Sequence, residues 1–265
     1  MKFWQVDSFT KNIFSGNPAA VFCLKTGGDI DEATMQKLAT EMNLSETVLV
    51  WPQQDKWQIR WFTPGAEVDL CGHATLAAAH ILWEQNLCNK NEIQFFSHRS
   101  GSLSATKCDG KIWLNFPQQS AIEKQFCENA KQLSKGQSIK YFGSNSHDAV
   151  MVFDDESKVL EYQPDYQLIQ QLPERGFIVT AQSKSSRYDY IYRAFFPKLG
   201  LQEDPVTGSA NTLLAPYWGK VLDKKVMSAY QASARGGDLL LALEEDRVLI
   251  GGHAVTVFEG NLILA

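Results

Sequence analysis

Asp69-Leu70-Cys71-Gly72-His73-Ala74-Thr75-Leu76-Ala77-Ala78-Ala79-His80-Ile81-Leu82-Trp83 is the stretch that decides the fold. A polar loop reaches a glycine, and from Ala74 onward the residues are apolar on nearly every face of a helix. Such a helix has no side to offer water and must be buried all round. Gly208-Ser209-Ala210-Asn211-Thr212-Leu213 repeats the theme 136 positions later, close to half of the 265-residue length. An internal match at that spacing reads as two similar halves, each holding one buried helix wrapped by strands.

The surrounding segments supply the strands. Residues 4–9, 19–24, 47–51, 57–63, 93–97, 103–107 and 111–116 are short β-rich runs, with a turn at Gly16-Asn17-Pro18 and a stop expected at Pro52. Residues 29–43 carry Ile30, Met35, Leu38 and Met42 at helical spacing behind an acidic first turn. Pro117-Gln118-Gln119 reads as the crossing between halves 1–118 and 119–265, with the last strand able to pack with the N-terminal half. In the second half, helices are expected at 122–135 and 210–220, the latter bent near Pro216. Strands are expected there at 150–153, 176–181, 188–196, 238–243, 247–251 and 254–258. Many short strands with few helices indicate α+β rather than a regular βαβ series.

Composition narrows the function. With 44% hydrophobic and 21% charged residues the chain is an ordinary globular one. A net charge of -5 argues against a nucleic-acid or anionic-membrane surface, and leaves room for a local pocket that takes a small acid. The five cysteines, Cys23, Cys71, Cys88, Cys108 and Cys127, are odd in number and lack C-x-x-C spacing. Free thiols in a reducing cytosol are the simplest reading. No run approaches 18 apolar residues and residues 1–11 hold no apolar signal core, so a cytoplasmic protein with no membrane span is expected.

The candidate chemistry gathers at the two glycines. Gly72 and Gly208 start helices whose unpaired N–H groups could together hold a carboxylate without any Arg or Lys. His73 stands at the first start, as a capping residue or as a group titrating near neutrality. His73 and His80 are seven apart on one face, but no carboxylate or thiol completes a ligand set, so no metal is expected. Asp204, Thr207 and Ser209 at the second start are more polar groups than a helix cap needs. Glu46, between a helix and an apolar strand, is either exposed or turned into a closed pocket. In a closed pocket it could take a proton from carbon and return it elsewhere. Cys71 is either core filler or a thiol activated at a helix start.

Gly16-Asn17-Pro18-Ala19-Ala20-Val21, Leu44-Ser45-Glu46-Thr47, Arg60-Trp61-Phe62-Thr63-Pro64, Glu67-Val68-Asp69-Leu70-Cys71-Gly72-His73-Ala74-Thr75 and Glu203-Asp204-Pro205-Val206-Thr207-Gly208-Ser209-Ala210 strongly resemble the PhzF family of phenazine-biosynthesis-like proteins. They occur in the family's order over nearly the whole chain. The resemblance implies the diaminopimelate epimerase-like fold: two pseudo-symmetric halves, each a β-barrel-like sheet wrapped around a central helix, with the active site between them. It implies a homodimer and no cofactor. Carried over residue by residue, the acid/base glutamate falls on Glu46, the substrate-binding and proton-handling groups on His73, Asp204 and Ser209, and the helix-start glycines on Gly72 and Gly208. In the related diaminopimelate epimerases a thiol precedes each glycine; here Cys71 and Thr207 stand in those places.

The expected function is a cofactor-independent isomerase of a small carboxylic acid, working by proton transfer through Glu46. The alternatives are a thiol-assisted epimerase or dehydratase using Cys71, and a non-catalytic small-acid-binding protein on the same fold. Adding 136 to 46 puts the counterpart of Glu46 near Gln182, and residues 177–186 contain no acidic side chain. One carboxylate is therefore expected both to take and to return the proton.

Overall fold

The computed structural model describes residues 1–125 and 128–263, so Cys127 and part of the helix expected at 122–135 lie outside the described residues. The chain forms two compact units, Met1–Asn115 with Gly251–Ala265, and Phe116–Ile250. In chain order the elements begin with β1 (Lys2–Ser8), β2 (Asn17–Cys23), α1 (Glu32–Met42), β3 (Glu46–Gln53), β4 (Lys56–Phe62) and β5 (Glu67–Val68). Next come α2 (Gly72–Glu84), β6 (Glu92–Ser97), β7 (Gly101–Cys108), β8 (Lys111–Pro117) and β9 (Ile122–Glu123). Then follow α3 (Glu128–Ser134), β10 (Ile139–Ser144), β11 (Asp148–Phe153), α4 (Glu156–Leu160), α5 (Tyr166–Gln170) and β12 (Gly176–Gln182). The chain ends with β13 (Tyr190–Phe195), α6 (Asn211–Leu222), β14 (Val226–Gln231), β15 (Gly237–Glu244), β16 (Arg247–Gly252) and β17 (Ala254–Asn261). Among the described residues no helix is long and apolar enough to cross a membrane.

In the first unit β1 lies between β17 and β2, antiparallel to both. Strand β2 runs parallel to β3, and β4 parallel to β6. Parallel neighbours need a crossover; α1 supplies it for the first pair and α2 for the second. Helix α1 forms because Asp31 accepts from the Thr34 N–H at 2.8 Å, while Met35, Leu38 and Ala39 turn inward. Its end is set by Asn43 in the left-handed conformation, φ 48°. Helix α2 has every residue from Gly72 to Leu82 buried except His80. Its alanines let strands close around it, and its Thr75 hydroxyl is spent on Cys71 O at 2.6 Å and on Trp61 Nε1 at 3.1 Å.

The second unit repeats the plan. Strand β10 lies antiparallel to β9 and β11, β11 parallel to β12, and β13 parallel to β14. Helices α4 and α5 fill the first crossover and α6 the second. The match extends to side chains. On β4, Arg60 Nε and Nη2 each donate to Glu67 at 2.7 Å, and its guanidinium sits 5.1 Å from the Phe62 ring centroid. On β13, Arg193 Nε and Nη2 donate to Glu203 at 2.7 and 2.9 Å and the guanidinium sits 5.2 Å from Phe195.

This register corrects the counterpart of Glu46. Phe62 pairs with Thr47 and Phe195 with Phe177, so the residue before each partner, Glu46 and Gly176, are equivalent. The shift is 130 residues there, 133 at the arginines and 136 at the helix starts. Loops of unequal length between elements make a single offset miss, and Gln182 is not the mirror position. No side chain grows from Gly176. A Cβ there would overlap the Phe196 ring and come within 2.7 Å of Asp148 Oδ1, whose carboxylate is paired with Arg175 at 3.2 Å.

Other expectations also need correction. Pro52 does not stop β3, which runs on to Gln53. Residues 122–135 are not one helix, since Ile122–Glu123 is a strand and the described helix begins at Glu128. The short helices α4 and α5 and the strands β10 and β14 carry too few apolar repeats to be read from sequence. Gly176→Ala should lower stability by about 1–3 kcal/mol through overpacking against Phe196. Urea denaturation checks this; an unchanged midpoint would refute the packing account.

Candidate active site

The polar groups of the first unit meet where α2 begins. The N-cap is Cys71, with extended backbone and no side-chain cap. Gly16, at φ 67°, makes the turn that starts β2, and a Cβ there would overlap Ser8 O. That turn sets Asn17 opposite Ser8 in the β1–β2 register. Ser8 Oγ donates to His73 O at 2.8 Å, and Asn17 Nδ2 lies 3.2 Å from His73 Nδ1. Glu46, first residue of β3, brings Oε2 to 3.1 Å from His73 Nε2. The His73 side chain is 6% exposed and that of Glu46 17%, so the carboxylate keeps a narrow opening to solvent. Oε2 itself is buried, and Nε2 faces it in a close ionic contact.

Three of the residues read from sequence, Glu46, Gly72 and His73, are thus assembled with Cys71, and Asn17 joins them. The sequence marked Asn17 only as part of a turn. Its proximity to a histidine 56 residues away has no local signal.

Electrostatics set the charge states. Burial works to lower the His73 pKa, but the Cys71 sulfur and the Glu46 carboxylate hold it well above the usual histidine value. Burial, and then the Glu46 charge, push the Cys71 thiol above its ordinary value. A thiol so shifted is uncharged near neutrality, so Glu46 is the charge that favours imidazolium.

Glu46, Cys71 and His73 place their donor atoms within 4.8 Å of one another, so a carboxylate and a thiol do accompany His73. Ligand geometry is another matter. Cys71 Sγ is 3.4 Å from Nδ1 and 4.0 Å from Nε2, so it lies beside the imidazole and along neither nitrogen's lone pair. A metal needs those lone pairs and the sulfur aimed at one point. His80 belongs elsewhere, with Nε2 3.1 Å from Thr256 Oγ1 and 3.4 Å from Glu84.

The second unit holds Asp204, Gly208 and Ser209. Neither Asp204 nor Ser209 caps α6, whose N-cap is Ala210. The entry is a tight turn in which Asn211 and Thr212 N–H bond the carbonyls of Gly208 and Ser209 at 3.0 and 3.1 Å. Asp204 is buried, and its Oδ2 accepts from Thr207 Oγ1 at 2.6 Å. Gln231 locks the loop, accepting from Thr207 N and donating to Asp204 O, both at 2.6 Å. Asn211 accepts from Tyr190 OH at 2.7 Å and donates to Tyr192 OH at 2.9 Å. Sequence reasoning missed Gln231 and Asn211. The one clue was an amide at the start of an apolar helix.

The family described as phenazine biosynthesis-like protein (PhzC-PhzF) matches residues 6–260. An uncharacterized isomerase of Halalkalibacterium halodurans is 47% identical over 261 residues, 98% of this chain and 97% of its own. The crystal structure of a PhzF-family phenazine biosynthesis protein of Enterococcus faecalis has a TM-score of 0.94 at 39% identity, covering 99% of each chain. A probable proline racemase of Agrobacterium radiobacter shares the fold alone, with a TM-score of 0.62 at 10% identity over 100% of this chain and 93% of its own. The fold is the diaminopimelate epimerase-like α+β fold, as the motifs implied.

A raised pKa in the folded state stabilises below the unfolded value, and the gain is lost as pH rises through the folded value. Replacing His73 by Asn should therefore destabilise most below about pH 6.5, the ordinary histidine value. The difference from wild type should shrink as pH rises beyond it. Urea melts across pH 5.5–9 check this, and a gap that widens with pH would refute the sign.

Proposed function

This chain belongs to the phenazine biosynthesis-like protein family, and on that premise we propose that it is a cofactor-independent isomerase of a small carboxylic acid. The observation that carries the reading is the pairing of a largely buried carboxylate with a buried imidazole, Glu46 Oε2 lying 3.1 Å from His73 Nε2. A carboxylate placed this way beside a histidine has the chemistry of a general acid/base.

In this reading the substrate carboxylate binds to N–H groups at the start of α2, at Gly72. Those groups draw off charge as a proton leaves the adjacent carbon. Glu46 takes that proton and returns it at another carbon, while His73 handles protons on the substrate's polar groups. The reaction moves a proton and no electrons, so it requires no redox cofactor. The mirror position Gly176 carries no side chain, which supports a single base. A relative named as an isomerase, 47% identical over nearly the whole chain, supports the reaction class.

The thiol alternative is disfavoured by the upward shift of Cys71 and by Thr207 standing in the second thiol's place. Small carboxylic acids screened in D2O, with deuterium uptake read by mass spectrometry, should reveal a substrate. Glu46→Gln should cut that uptake by about 10²–10⁴-fold, and Cys71→Ala should leave it nearly unchanged. Full uptake in Glu46→Gln would remove Glu46 as the base. Ligand binding with no uptake in wild type would favour a binding protein. A substrate deuterated at the reacting carbon should retain part of its label in H2O, because one base can return the proton before it exchanges.

A further inference from the structure

The two ring nitrogens of His73 have different partners. Nε2 faces the Glu46 carboxylate at 3.1 Å, and Nδ1 faces the Asn17 amide at 3.2 Å. A primary amide is unusual among side chains in offering a donor and an acceptor at nearly the same place. With Nδ2 toward the ring, as here, it donates to the bare Nδ1 of a neutral imidazole. Turned over, it presents Oδ1 and accepts from the Nδ1–H of an imidazolium. We propose that Asn17 is a positioning residue whose amide turns over as His73 gains and loses its proton. It keeps the neutral ring in the Nε2–H tautomer beside Glu46 and stabilises the charged ring in the same place.

Among the described residues, Asn17 is the side-chain amide set against Nδ1. The Cys71 sulfur lies beside the imidazole and not along the Nδ1 lone pair. Ser8 engages the backbone carbonyl of His73, not the ring. The buried Asp7 carboxylate on β1 accepts from Phe14 N at 2.7 Å. The groups that titrate against the ring are Glu46 on β3 and Cys71 at the N-cap of α2. With the thiol uncharged, the Glu46 charge favours the charged ring against burial, so the ring crosses between its two states at a pH above the ordinary one. A fixed donor at Nδ1 would disfavour the imidazolium, and a fixed acceptor would disfavour the Nε2–H neutral form. A reversible partner accommodates both. The consequence for catalysis is that Nε2 keeps its proton toward Glu46 in both charge states of the ring, and the ring keeps its orientation while the Nδ1 proton comes and goes.

The inference concerns the same pair of residues as the proposed proton transfer, but it is tested without substrate, so either can fail alone. The experiment is a pH titration of protein labelled with 15N-histidine, following both ring nitrogens, with His73 assigned by the signals missing from His73→Gln. Wild type should show both nitrogens protonated at low pH and the Nε2–H tautomer at high pH. Asn17→Asp, an acceptor only, should hold the ring doubly protonated to a pH at least about one unit higher. Asn17→Leu should move the titration down by about one unit or more and mix the tautomers. A neutral wild-type ring protonated on Nδ1 would overturn the proposal, as would variants that both titrate like wild type. Should either variant fail to fold, the wild-type tautomer decides.

Discussion

A helix with almost no face toward water constrains the rest of the first unit. From Gly72 to Leu82 only His80 escapes burial in α2, so polar chemistry has nowhere to sit along its length. It can sit at the ends, where N–H groups or carbonyls are left over. The N-terminal end carries the partial positive charge, which suits a carboxylate such as Glu46 nearby. The sheet follows from the same constraint. Strands that wrap one helix bring their termini to its start, which is why Ser8 at the end of β1, Asn17 at the start of β2 and Glu46 at the start of β3 converge on His73.

The loops that feed the two helix starts are held by the same device. Bidentate pairs of arginine and glutamate are strong and directional. Arg60 grips Glu67 five residues before Gly72, and Arg193 grips Glu203 five residues before Gly208. On these equal frames the chemistry diverges. Where the first unit has Cys71, His73 and Glu46, the second has Thr207, Ser209 and Gly176. One unit keeps the ionisable pair, and the other keeps hydroxyls and amides tied by Gln231 and Asn211.

The sequence made the buried helices legible because consecutive apolar residues leave a helix no amphipathic choice. It made the duplication legible because glycine, small residue and apolar run recur together. The register of the repeat was not legible. Each connecting loop shifted it by three residues, and only strand pairing showed that Gly176, not Gln182, answers Glu46. Asn17 could be seen as a turn residue but not as a partner of His73, because their approach is made by β2 packing on α2 and by nothing local. Gln231 sits in a strand too short to announce itself, and its contacts span 24 and 27 residues.

The remaining question is why the first unit keeps a thiol that the proposed reaction does not use. A thiolate between Glu46 and His73 would be a second negative charge in a buried place, and burial alone already opposes it. The neutral thiol costs nothing of that kind. It fills the side of the imidazole with a soft, polarisable atom, and leaves both nitrogens to oxygen and nitrogen partners. The carboxylate and the imidazole then face each other at 3.1 Å without competition from sulfur. Two opposed thiols need each sulfur to be readily ionised; one carboxylate beside one histidine needs the sulfur to stay protonated. The same burial that makes Cys71 a poor base makes it a suitable wall for the pair that it touches.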